Sequence, residues 1–170
     1  QDKLTIVGQF KGTSQFGSYT FTSVNYPSNM QNNAGQPSYD ALVIKLDSAG
    51  GVLWAKQGAA LYDDRLMKVE TDNNYNIYVV GQFSDTITFH NTFNNNAFNA
   101  IMLMKLDSLG NELWFHRLLA TQLMVYDMKE KNGRIFLTGD YKGTLLYKTQ
   151  SNHIITNNNG DSSISISDKE

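Results

Sequence analysis

One run of residues occurs twice in this chain, nearly unchanged. Lys45-Leu46-Asp47-Ser48-Ala49-Gly50-Gly51-Val52-Leu53-Trp54 returns as Lys105-Leu106-Asp107-Ser108-Leu109-Gly110-Asn111-Glu112-Leu113-Trp114. An internal copy of this kind restricts the fold to units that stack on one another. A second motif appears three times. Ile6-Val7-Gly8-Gln9-Phe10 matches Val79-Val80-Gly81-Gln82-Phe83 and then Leu137-Thr138-Gly139-Asp140-Tyr141. Each aromatic is followed by a threonine at Thr13, Thr86 and Thr144. The first interval is longer than the second. Its surplus falls in an Asn-, Gln-, Gly- and Pro-bearing stretch from Tyr26 to Ser38, where an insertion leaves the strand frame intact.

The residue types between these motifs are strand formers separated by Asn and Gly turns, which predicts an all-β chain. In the middle copy the pattern predicts four strands: about Leu66 to Thr71, Ile77 to Phe83, Ala100 to Leu106 and Glu112 to Leu118. The segment from Ser84 to Asn99 has room for a small hairpin. Asp-x-x-Gly at Asp47 to Gly50 and Asp107 to Gly110 is hairpin chemistry, with Asp capping the turn and Gly taking the positive φ. Ile77-Tyr78-Val79-Val80 and Ile101-Met102-Leu103-Met104 are continuous apolar runs, as in strands covered on both faces. Four-stranded units that bury one another describe the blades of a β-propeller. A parallel solenoid has shorter repeats, and an immunoglobulin-like sandwich would not explain the internal copy.

The residues Asp40-Ala41-Leu42-Val43-Ile44-Lys45-Leu46-Asp47 followed by Gly50-x-x-Leu53-Trp54 resemble the bacterial seven-bladed beta-propeller (SBBP-type) repeat. So does Thr71-Asp72-x-x-x-Asn76-Ile77-Tyr78-Val79-x-Gly81-x-Phe83. The resemblance runs over nearly the whole chain and is strongest at these two motifs. Copy three departs from it, with Ser162 to Ser167 in place of an apolar third strand and no later Gly-x-x-Leu-Trp turn. The resemblance implies a secreted or cell-surface bacterial propeller, with no particular ligand or reaction.

The strands then count as three, four and three: a partial blade with an inserted loop at 1–60, a complete one at 61–120 and a partial one at 121–170. Propellers close with about 4–8 blades. Two and a half to three blades make an open arc, and the expectation is a fragment of a larger propeller. Assembly of several copies into one ring is the rival. Either way the exposed ends would take remaining blades or other copies of the chain.

Composition narrows the functions. The net charge is −2, with no basic stripe to hold nucleic acid. The absence of cysteine excludes disulfides and thiolate metal sites. No apolar run approaches the roughly 18 residues of a membrane span. His90, His116 and His153 have no metal-ligand spacing, and no Gly-x-Ser-x-Gly elbow or phosphate-binding Gly loop occurs. Asp72-x-Asn74-x-Asn76 imitates the start of a calcium loop, but Ile77 stands where the glycine belongs and Phe83 where the closing glutamate belongs. A hairpin turn is the simpler reading. No metal or cofactor is expected.

Short turns fall at one end of the strands and long connections at the other. Ligand contacts concentrate on loops held by a rigid scaffold. The candidates are therefore Asn29, Asn32, Asn33, Gln36, Tyr39, Asp63, Asp64, Arg65, Asn94, Asn95, Asn96 and Asn99. Amides and aromatics suit the hydroxyls and apolar faces of sugars, although Asn-rich loops are also plain turn formers. Asp63-Asp64 is a carboxylate pair of the type used by glycosidases, or else a loop cap paired with Arg65. Gly50, Trp54, Gly81, Gly110, Trp114 and Gly139 are expected to be structural anchors, the tryptophans through packing between blades. The function expected is non-catalytic binding or adhesion, with a glycan or protein ligand on the long-loop face. The alternative is part of a propeller-fold hydrolase or lyase acting on glycans, with its catalytic residues in other blades.

Overall fold

The computed structural model describes residues 3–94, 100–148, 154–157 and 163–167. It is all-β, with antiparallel sheets and no closed barrel among the described residues. The strands are β1 (Leu4–Lys11), β2 (Thr13–Phe16), β3 (Tyr19–Thr22), β4 (Tyr39–Leu46), β5 (Val52–Ala60), β6 (Arg65–Thr71), β7 (Ile77–Phe83), β8 (Thr86–Thr88), β9 (Thr92–Asn94), β10 (Ala100–Leu106), β11 (Glu112–Leu119), β12 (Gln122–Lys131), β13 (Arg134–Lys142), β14 (Leu145–Lys148), β15 (Ile154–Asn157) and β16 (Ser163–Ser167).

The middle copy forms the four-stranded meander that its sequence predicts, in the order β6-β7-β10-β11. The first copy contributes β1-β4-β5 and the third β12-β13-β16. Between strands two and three of every copy lies a small hairpin: β2–β3, β8–β9 and β14–β15. Only one of these was anticipated, in the segment after Ser84. The residue that turns the chain into each hairpin has a positive φ: Gly12 at 72°, Asp85 at 64° and Gly143 at 85°. The recurring threonines, Thr13, Thr86 and Thr144, each follow this bend by one residue.

The chain divides into two compact units, Gln1–Met67 with Gln82–Phe98, and Lys68–Gly81 with Asn99–Glu170. In the first unit Phe10, Leu42, Ile44 and Ala55 form a core. The β2–β3 hairpin covers it with Phe16, Tyr19 and Phe21. Phe10, Phe16 and Phe21 stand 6.1–6.3 Å apart, centroid to centroid. In the second unit Ile77 to Val80 and Ala100 to Met104 are buried throughout, as their unbroken apolar runs predict.

One turn is built three times. Oδ1 of Asp47, Asp72 and Asp107 accepts the N–H groups two and four residues ahead, at 2.8–2.9 Å. The residue three ahead takes a positive φ in each: Gly50, Tyr75 and Gly110. Asp72 is therefore a turn cap, which accounts for its calcium-like spacing. Burial by itself would raise its carboxyl. The hydrogen bonds from Asn76, Asn74 and Tyr78 outweigh that and hold it below the ordinary range.

Candidate functional site

In the first unit the β1–β4 connection, the β5–β6 connection and the end of β7 meet at the long-connection end of the strands. The Tyr26 to Ser38 insertion is closed at its neck rather than loose. Ser38 N–H donates to Val24 O at 2.7 Å, and Tyr26 N–H to Gln36 O at 2.9 Å. Asn25 and Pro37 form a bridge between these bonds. Asn32 and Asn33 lie exposed toward the tip, and Asn33 O accepts the Gln36 N–H at 2.9 Å. That bond is turn chemistry.

The sequence pair Asp63-Asp64 separates into two different environments. Asp64 is 1% exposed and Asp63 is exposed. Asp64 N–H donates to Tyr39 O at 2.8 Å, and its Oδ1 accepts Ser84 N–H at 2.8 Å. Its Oδ2 is buried with no hydrogen-bond partner among the described residues. Burial, with Asp40 and Asp63 nearby, pushes its carboxyl up to about 8, against the opposing bond from Ser84. Asp63 Oδ1 accepts Tyr39 N–H at 2.9 Å and also the hydroxyl of Tyr26. Burial and that bond push the Tyr26 phenol up to about 12.

Beneath them lies a group that the site argument from sequence passed over. Asp40 is fully buried, and its Oδ2 accepts Gln57 Nε2 at 2.6 Å and Val24 N–H at 3.2 Å. Ser38 Oγ, also buried, donates to Val24 O at 2.7 Å. Burial raises the Asp40 carboxyl despite these bonds. The signal for Asp40 was a break in the repeat, since its counterpart in the otherwise matching β10 is Ala100.

Tyr39 is 37% exposed, and Lys11 Nζ lies 5.2 Å from its ring centroid. Arg65 is exposed and directs Nε and Nη2 to Gln82 Oε1 at 3.0 and 2.6 Å. The structure thus brings Tyr39, Asp63, Asp64 and Arg65 to one end of the unit. Asn94 ends β9, and its backbone pairs with Thr86. Asn95, Asn96, Asn99 and His153 lie outside the described residues.

The repeated anchors sit elsewhere. Trp54 and Trp114 are half-buried and pair across the sheet with Lys45 and Lys105. Trp114 stacks on His116 at 4.4 Å and meets the Tyr78 ring edge-on at 6.0 Å. His116 Nδ1 is hydrogen-bonded to the Tyr147 hydroxyl. Gly50 and Gly110 hold the left-handed turn positions, and Gly81 is buried in β7. Gly139 lies where a Cβ would stand 2.0 Å from Met124 O. Among the described residues no group of three or more His, Cys, Asp or Glu is arranged to hold a metal ion. No helix among them is long and apolar enough to cross a membrane.

In comparison with known proteins, no family model matches the chain and no curated protein matches it significantly. The functional reading therefore rests on this geometry and on the motifs themselves.

Proposed function

We propose that this chain is a non-catalytic binding module of the SBBP propeller kind, secreted or held at the cell surface. Its ligand surface is the long-connection end of the first unit, and its ligand is a glycan. The observation that carries this reading is the setting of Tyr39. An exposed ring stands beside a cation, on a backbone pinned by Asp63 through its N–H and by Asp64 through its carbonyl. A ring on a backbone already fixed in this way loses less freedom on binding than one on a mobile loop. Exposed Asp63 and Arg65 supply charged hydrogen-bonding groups nearby, of the kind that sugar hydroxyls satisfy.

The same geometry argues against acid–base chemistry by the Asp63-Asp64 pair. Asp64 carries the raised pKa of a general acid, yet it is only 1% exposed, and one of its oxygens is taken by the Ser84 N–H. Its hydrogen bonds run to the backbone of Tyr39 and Ser84, which is the work of a clasp. A glycan array with the intact chain, repeated with Tyr39→Ala, tests the proposal. Binding to a defined set of sugars that falls about tenfold or more in the variant is expected, a loss of about 1.4 kcal/mol. No binding to any sugar by the intact chain, or equal binding by the variant, would overturn it.

A further inference from the structure

Two of the three small hairpins extend the outermost strand of a neighbouring sheet. β8 pairs antiparallel with β5, placing Ala59 opposite Thr88. β14 pairs antiparallel with β11, placing Leu119 opposite Leu146. Counted from Trp54 and Trp114, Ala59 and Leu119 hold the same position. Counted from Thr86 and Thr144, so do Thr88 and Leu146. Both junctions therefore use one register. The third hairpin, β2–β3, begins on the same left-handed bend, at Gly12. It forms a separate two-stranded sheet, so the outer edge of β2 has no ladder partner among the described residues.

A second observation concerns the sheet beside it. Leu4 and Ile6 of β1 are 57% and 43% exposed, whereas their counterparts in β7, Ile77 and Val79, are 0% exposed. Apolar side chains at equivalent places are thus covered in one copy and bare in another. A bare strand edge next to a bare apolar face is a surface built for pairing. The hairpin is already held over its own unit. Tyr19 hydroxyl donates to Leu53 O at 3.2 Å, and Gln57 Nε2 to Thr22 O at 2.9 Å.

We propose that this surface docks a further four-stranded unit of the same repeat. The outermost strand of that unit pairs with β2, and its sheet covers Leu4 and Ile6. The register of the two internal junctions places Gln15 opposite the position held by Ala59 in β5 and by Leu119 in β11. Among the described residues a second copy of this chain offers no free edge on the equivalent strand. Its two strands of the required kind, β5 and β11, already have their outer edges filled by β8 and β14.

The experiment adds such a unit to the full chain. Residues 61–133 are placed directly before Lys3, so that β12 of the added unit meets β1 and its β11 meets β2. Amide exchange at Thr13 to Phe16 should slow about tenfold or more relative to the parent chain. The chain has no cysteine, so a disulfide between Gln15→Cys and Leu119→Cys in the added unit reports the register. Thr20→Cys on β3, paired with the same Leu119→Cys, should not cross-link. Unchanged exchange at Thr13 to Phe16, with β4 and β10 still protected, would overturn the proposal. Cross-linking by Thr20→Cys in preference to Gln15→Cys would overturn the register. Self-association of the parent chain on sedimentation, with β2 protected at high concentration, would show a second copy to be the occupant and overturn it as well.

Discussion

The Asp64 carboxyl accepts the Ser84 N–H at 2.8 Å through one oxygen, while its other oxygen is buried with no hydrogen-bond partner among the described residues. This links the β5–β6 connection to the end of β7. The third copy makes the comparable tie with different atoms, since Thr121 N–H donates to Lys142 O at 3.1 Å. A neutral group suffices there. In the first unit a carboxyl does the work, and its enclosure makes the unit sensitive to pH.

Asp64 keeps its proton up to about 8 when folded, against an ordinary value of 3.8. Between those values the folded chain binds the extra proton, so stability falls as pH rises across this window and levels off above it. The slope for one such proton is about 1.4 kcal/mol per pH unit at most. Asp40, also raised by burial, acts in the same direction. Asp72 and Asp107 are held low and oppose this only in strong acid, where their protonation costs turn bonds. Melting temperature should therefore peak in mildly acidic solution. Asp64→Asn should flatten the fall between pH 5 and 8; an unchanged slope in that variant would refute the assignment.

The three Asp turns differ at one position. Tyr75 takes a φ of 63° where Gly50 and Gly110 take 84° and 85°. A side chain in that conformation costs about 1 kcal/mol. Tyr75→Gly should raise stability by up to that amount, and Gly50→Ala should lower it by a similar one. Asp72→Ala should cost about 1 kcal/mol, because two backbone N–H groups lose their acceptor. Urea denaturation of the three variants gives the comparison, with a stabilised Gly50→Ala as the contrary result.

Gly8 and Gly139 occupy the same repeat position for different reasons. At Gly8 an added Cβ meets nothing within 4 Å. At Gly139 it would meet Met124 O at 2.0 Å, beside the irregularity between Val125 and Asp127 that turns Tyr126 outward to Asp140. Backbone cannot swing aside as a side chain can. Gly139→Ala should cost about 3 kcal/mol, and Gly8→Ala less than about 1 kcal/mol. Equal losses in thermal unfolding would show that the position matters for the repeat as such.

The Asp40 carboxyl gathers Gln57 Nε2 and Val24 N–H in the interior. Asp40→Ala should destabilise the first unit by about 1 kcal/mol, since the half-buried Val24 N–H loses its acceptor and Gln57 Nε2 keeps only Thr22 O. Amide exchange localises the effect: Val24 and the neck of the insertion should open first, and uniform loss across both units would contradict it.

Much of the strand layout was legible in the residues. The predicted spans in the middle copy match β6, β7, β10 and β11 to within a residue, because apolar runs and Asp-x-x-Gly turns are local signals. Of the three small hairpins only the second, after Ser84, was anticipated; the first and third were not. β8 and β14 are three and four residues long and gain their place from β5 and β11, far along the chain. The site was legible only in part. Asp63, Asp64 and Arg65 stood out as a charged cluster, but nothing local told which acid faces solvent.

The sequence by itself determined the repeat, the strand order within each copy and the three Asp turns, since each depends on residues a few positions apart. Only the tertiary structure decided that Asp64 is enclosed with Asp40 nearby, and that each later hairpin lies on the preceding outer strand. Those outcomes depend on which distant backbone groups exclude water from a side chain, and burial of that kind has no local signature.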